Sequence, residues 1–314
     1  MDFNSPVPKE WTEWTNDFDT ELLVWYIIMI VVCVAFNLTM LYKCWGKVQP
    51  VDSYTTTMKY LAVPWVLECA WRSVFPSLYL QRFVFWDTPL NAIIVDRTWA
   101  LFGELSWVFQ TMTALRYVDL QITGGKSWVQ ASGWVAFAIY VLAEMASYYN
   151  TATTNEKWAA IEVALDGISY VCMAPASIYL LCKLPADQGW DSSAKIYLAV
   201  MIPMTIAYPL YNFLIDCPMY MERYAEDEAA GKVYFDFLPG LYDAAVTRNP
   251  THHLEDWQAD MFWMSAYFSV GAWSGMLMMF APQLKTIKVG DGSYQVQLLT
   301  SAKSHVNDQG ITLV

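Results

Sequence analysis

Seven stretches of this chain stay apolar over lengths approaching the roughly 20 residues that a membrane-crossing helix needs, and no other feature constrains its fold as much. They are Leu22–Tyr42, Tyr60–Leu80, Thr98–Leu115, Val129–Tyr149, Trp158–Cys182, Ile196–Asp216 and Ala259–Ala281. Charge is sparse: 15% of the 314 residues are charged, against about 25% in an average soluble domain. The expected fold is all-α, an integral membrane bundle of seven transmembrane helices. Residues 1–21 are expected to form an exposed acidic N-terminus. Residues 22–282 form the membrane domain, with a long acidic outer loop at 218–257, and residues 283–314 form a cytoplasmic tail. The first 20 residues are polar and acid-rich without a basic start, so no cleavable signal peptide is expected and the first span serves as its own insertion signal.

Lysine and arginine in the loops set the orientation. Lys43, Lys47 and Lys59 flank the first loop, Arg116 and Lys126 the third, Lys183 and Lys195 the fifth, and Lys285, Lys288 and Lys303 follow the last span. With seven spans these all fall on one side. The N-terminus is therefore expected outside or in the lumen and the C-terminus in the cytoplasm. The net charge of −12 comes mostly from the two exposed acidic segments. It gives no reason to expect a nucleic-acid partner.

Ionisable residues inside a membrane are costly, and they mark candidate functional positions. Glu68 and Arg72 lie near the middle of the second span, spaced i, i+4, so they can neutralise each other within one helix. That pairing also fits a purely structural role. At about 1.5 Å per residue, Glu104 lies below the outer end of span three and Glu144 in the outer third of span four. Glu162 and Asp166 share one face of span five in its outer half, and Asn212 and Asp216 close span six at the same side. Asp216 also fits the headgroup region. Gln110 is the main polar group of the inner half.

Aromatics are the second feature, with 16 Trp, 20 Tyr and 15 Phe. Trp25, Trp45, Trp128, Trp158 and Trp257 fall near span ends, as interfacial belts do. Trp65, Trp71, Trp107, Trp134 and Trp273 fall deeper. Indoles with a few carboxyls suit a flat, lipid-like ligand or a cation held over ring faces.

Several classes are excluded. No lysine lies mid-membrane in the last span, as a retinal Schiff base requires, and that span lacks the NPxxY pattern of many seven-helix receptors. No P-loop, Rossmann glycine pattern or zinc-ligand spacing is present, so no cofactor or metal is expected. The six cysteines form no CxxC pair and read as packing residues. His252 and His253, with Glu255 and Asp256, read as a solvated loop. The terminal Thr312-Leu313-Val314 fits a C-terminal peptide ligand for strand-adding domains such as PDZ.

"FAIYVLAEMASYYN", "ALDGISYVCMAPASIYLL", "YNFLIDCPMY" and "VGAWSGMLMM" give residues 131–288 a resemblance to the emopamil-binding protein family, the EXPERA-type sterol isomerases. Glu144 falls at the family's Glu, Asp166 and Pro175 keep an acid–proline spacing of nine, and Trp273 lies near the family's tryptophan. Tyr140 stands where the family has His, Asp166 where it has Glu, and Val270 where Asn is expected. Around Glu68, "LECAWRSVFPS" is similar to a helix of fungal membrane-bound terpene cyclases. Both resemblances imply protonation of an alkene or epoxide by a buried carboxylic acid, with aromatic faces stabilising the carbocation. The resemblances point to Glu144, Asp166 and Glu68 as catalytic residues and to Tyr140 and Trp273 as substrate-binding residues; the polar positions inside the spans add Glu162 as a catalytic candidate and Arg72, Glu104 and Asn212 as substrate-binding candidates. A multi-pass protein of the endoplasmic reticulum, rather than of the plasma membrane, goes with them. The alternative is a seven-helix receptor, or a cation or proton channel or transporter, that uses the same acids as an outward vestibule. A structural subunit with acids pairing across helices is a third reading.

Overall fold

The computed structural model describes residues 18–285. The C-terminal motif, most of the acidic N-terminus and most of the tail lie outside the described residues. Those described are mostly helical, with eight helices and almost no strand. In chain order the helices are α1 (Thr20–Lys47), α2 (Ser53–Val74), α3 (Ile93–Thr123), α4 (Ser127–Thr153), α5 (Glu156–Lys183), α6 (Ser193–Ala229), the short α7 (Phe237–Val246) and α8. Helix α8 starts as Leu254–Ala266 and is carried through Tyr267–Gly271 into Ala272–Met278.

Local chemistry sets the helix ends. Asp52 caps α2 by accepting from the Thr55 N–H at 2.7 Å, while the Thr55 hydroxyl accepts from the Asp52 N–H at 3.2 Å. Gly124, at φ 77°, ends α3 in the left-handed conformation that a residue without Cβ adopts freely. Asn155 caps α5 through the Lys157 N–H. Asp19 ties two helix starts together: its carboxylate accepts the Leu254 N–H at 2.6 Å and its N–H donates to His252.

Four helices, α1, α4, α5 and α6, are long and apolar enough to cross a membrane, as expected of a membrane protein. Helices α2 and α3 are also long, at 22 and 31 residues, but carry charge inward. The sequence set the third span at Thr98–Leu115; the helix extends beyond it at both ends, where Asp96 and Arg97 at the start and Val118 and Asp119 near the end are buried inside the fold rather than flanking it. The acidic stretch after span six is helical as well, being the end of α6.

Two apolar cores fill the bundle. One gathers Tyr54, Met58, Leu115, Tyr170, Met173 and Leu198 from α2 to α6. The other gathers Leu22, Cys33, Trp65, Phe85, Trp257 and Met276 from α1, α2, α8 and the loop after α2. Trp107 on α3 packs against both, and its ring stacks on Trp65 at 5.2 Å. Helix α3 is thus the shared wall.

A small cap closes one end. Strands β1 (Ser77–Leu78) and β2 (Phe83–Val84) pair antiparallel, and β3 (Asn249–Pro250) adds parallel to β2. Arg82, at φ 56°, holds this cap. Its guanidinium donates to the carbonyls of Tyr79 and Thr151 at 2.7 and 2.6 Å and pairs with Asp243 of α7 at 2.8 Å. It therefore satisfies carbonyls that the end of α4 leaves open.

Candidate functional site

Beneath the cap lies a buried cluster of charges. Arg72, on α2, donates to Glu68 one turn earlier at 2.9 Å. Its Nε lies 3.2 Å from Asp96 on α3, and its Nη1 lies 3.7 Å from Glu104 two turns further along α3. Arg97, next in sequence to Asp96, turns the other way. It donates to Glu104 at 3.3 Å and to Glu144 on α4, and it lies 3.9 Å from Glu162 on α5. Glu104 is the shared member. One of its oxygens faces each arginine, and Oε1 also accepts the Tyr267 hydroxyl of α8 at 2.6 Å. Ser77 of the cap donates to the second oxygen of Asp96 at 2.8 Å.

Aromatic rings wrap the first arginine. The Arg72 guanidinium carbon lies 5.1 Å from the ring centre of Phe268, 5.4 Å from Tyr267, 5.7 Å from Tyr79 and 5.9 Å from Trp263. Ring faces stabilise a cation that has been taken from water. They compensate Arg72 without adding negative charge.

Asp166 stands apart from this pairing. It is 8% exposed, one of its oxygens has no hydrogen-bond partner, and among the described residues it forms no salt bridge. Its electrostatic neighbours are Glu162, Glu104 and Arg97 of the network and the phenols Tyr140, Tyr170 and Tyr208. Tyr170 and Tyr208 meet edge to face at 4.9 Å. Asn212, on α6, spends its amide N–H on the Val163 carbonyl at 3.0 Å, and its oxygen is buried without a partner.

Two of these residues sit on local π-turns. Asn212 opens the Asn212–Asp216 segment and Tyr267 opens Tyr267–Gly271. Such widened turns rotate the side chains that follow them and recur at functional positions.

The structure thus brings Glu68, Arg72, Glu104, Glu144 and Glu162 into one network, with Asp166, Tyr140 and Asn212 beside it. Trp273 is elsewhere. It is 38% exposed, and its indole N–H donates to Asn37 of α1 at 2.9 Å. His252 is packed rather than solvated: it stacks on Phe18 at 3.8 Å and bonds the Phe85 carbonyl. Asp96, Arg97, Tyr79 and Tyr267 are site residues that the sequence reading did not select. Arg97 and Glu104 are spaced i, i+7, two turns apart on one helix face, and this was the signal available for them.

The opposite half of the bundle is closed by ordinary packing. Gln110 donates to the carbonyls of Met58 and Gly275, at 2.9 and 3.2 Å, and Tyr197 donates to that of Thr111 at 2.8 Å. A groove of about 340 Å³ runs along α3, lined by Ile94, Val95, Thr98, Trp99 and Phe102. None of the cluster carboxylates lines it. Comparison with family models, with curated proteins and with solved structures found no match for this chain.

Proposed function

We propose that the chain is a seven-span membrane protein, with its N-terminus outside or lumenal, whose buried charge cluster binds and releases protons or cations from one side. It would act as a receptor or a carrier. The observation that carries this reading is the imbalance of the cluster. Among the described residues, five carboxyl groups, of Glu68, Asp96, Glu104, Glu144 and Glu162, pair with the guanidinium groups of Arg72 and Arg97, and a sixth, of Asp166, lies beside them. An interior of low polarity does not hold uncompensated charge. Protons or a bound cation must make up the difference, and their exchange changes the electrostatics of every helix in contact with the cluster.

The packing of Gln110 and Tyr197, both donating to backbone carbonyls in the opposite half of the bundle, favours a site open to one side over a continuous channel. The long polar helices α2, α3 and α8 would be the spans that the apolar ones shield. Infrared difference spectra of the purified protein test the proposal. A protonated-carboxyl band at neutral pH, altered by cations and reduced in Asp166→Asn, is the expected result. Fully ionised carboxylates, insensitive to cations and to that substitution, would overturn it.

A second reading has its own observation. Asp166 is a buried acid that forms no salt bridge among the described residues and is set among phenol rings, as an intramembrane isomerase or terpene cyclase acting by acid catalysis would require. Incubation with sterol and prenyl-epoxide substrates tests it. Rearranged product that disappears in Asp166→Asn would select this reading.

A further inference from the structure

We infer that α7 is an interfacial helix whose outer stripe, Leu238, Tyr242 and Val246, beds into the headgroup–acyl boundary of the bilayer. The inference rests on the chain being a membrane protein, and adds to that reading a specific lipid-contacting surface outside the spans.

Three observations carry it. The first is the stripe. Leu238 and Tyr242 are 73% and 70% exposed, and Val246 follows at the same four-residue step. Residues at i, i+4 and i+8 share one helix face.

The second is the rigidity of the opposite face. Gly240 lies so close to α4 that an added Cβ would stand 2.0 Å from the Ala152 carbonyl oxygen. Ala244 is fully buried in a small core with Val84 and Ile93. The Arg82–Asp243 pair pins the helix further. The stripe therefore cannot turn inward without dismantling the cap.

The third is direction and continuity. Phe237 stacks on Tyr149 near the end of α4 at 5.5 Å, and Ala244 reaches Ile93, the first residue of α3. Helix α7 therefore runs across the ends of α4 and α3 rather than alongside them. Below it on α4, the exposed apolar residues Leu142 and Met145 lead up to Tyr149. An apolar stripe lying crosswise at the top of a spanning helix matches the boundary layer of a bilayer. Acidic neighbours such as Asp236 and Glu228 point to a zwitterionic lipid surface rather than an anionic one.

The test uses the full chain in phosphatidylcholine nanodiscs, with Cys172→Ser, Cys182→Ser and Cys217→Ser as background. An environment-sensitive fluorophore is placed at Tyr242→Cys, with Leu238→Cys as a second site and Met145→Cys as a deep reference. The expected result is blue-shifted emission at 242 and 238, quenched more by headgroup-labelled lipid than by chain-end-labelled lipid, with the opposite order at 145. Water-like emission at 242 and 238 with lipid quenching at 145 would overturn the inference and leave the membrane reading intact. Blue-shifted emission that no lipid label quenches would assign the stripe to a protein contact and also overturn it. Absence of lipid quenching at all three positions would overturn the membrane reading itself.

Discussion

The Arg72 guanidinium lies 3.2 Å from the Asp96 carboxylate, joining α2 to α3 inside the bundle. The next residue, Arg97, points to α4 and α5 instead. One dipeptide of α3 therefore sends opposite charges to opposite halves of the molecule, and Glu104, between the two arginines, makes the halves one electrostatic unit.

Arg97 is the cation for three carboxylates, so its removal leaves them buried and facing one another. Arg97→Met is expected to destabilise the protein by ~3–5 kcal/mol, the usual effect of breaking a buried pair from one side. Arg97→Met combined with Glu144→Gln removes one of the stranded charges and is expected to recover part of the loss. Thermal unfolding in detergent, read on both variants, checks the order.

Arg82 holds the cap by several bonds at once, to α4 carbonyls and to Asp243. Arg82→Ala leaves those carbonyls buried without a donor, at about 1–3 kcal/mol each. The cap should loosen before the spans do. Limited proteolysis is expected to cut between α6 and α7 in the variant, under conditions that leave the unaltered protein whole.

Much of this arrangement was legible in the sequence, and its limits have a physical cause. Apolar length gives away a spanning helix, so α1, α4, α5 and α6 were readable. Depth within a helix was enough to gather Glu68, Glu104, Glu144, Glu162 and Asp166 toward one side. Arg97 was missed because a charge beside an apolar run looks like a flank; only the cap, built from residues far apart in the chain, encloses it. Tyr267 was missed because a tyrosine in an aromatic-rich span carries no mark of the carboxylate it bonds. Trp273 was selected for its depth and its place in the resemblance, and neither specifies which face of α8 it occupies.

The close approach of α2 and α3 beside the cluster depends on Gly103. A Cβ there would lie 2.6 Å from the Glu68 Cβ and 2.8 Å from its Cγ. Gly103→Ala is expected to push Glu68 from Arg72 and destabilise the fold by ~1–3 kcal/mol, as overpacking does. Gly46→Ala, with open space around it, is expected to be neutral or slightly stabilising through helix propensity. Comparing the two melting curves separates steric crowding at the cluster from any general effect of alanine.

Asp166 and Glu144 allow stability to be separated from function. Glu144 pairs with Arg97, so Glu144→Gln weakens a buried ion pair and is expected to lower stability by roughly 1–3 kcal/mol. Among the described residues Asp166 forms no salt bridge, and one of its oxygens lacks a hydrogen bond. Asp166→Asn keeps its shape and removes its capacity for charge, so stability is expected to be unchanged or raised. Ligand-dependent behaviour should follow the opposite order. In proteoliposomes, Asp166→Asn is expected to abolish the cation- or proton-dependent response at full thermal stability, while Glu144→Gln retains a weakened response at reduced stability. Equal loss of stability in both variants would mean that Asp166 serves the packing of α5 rather than a ligand.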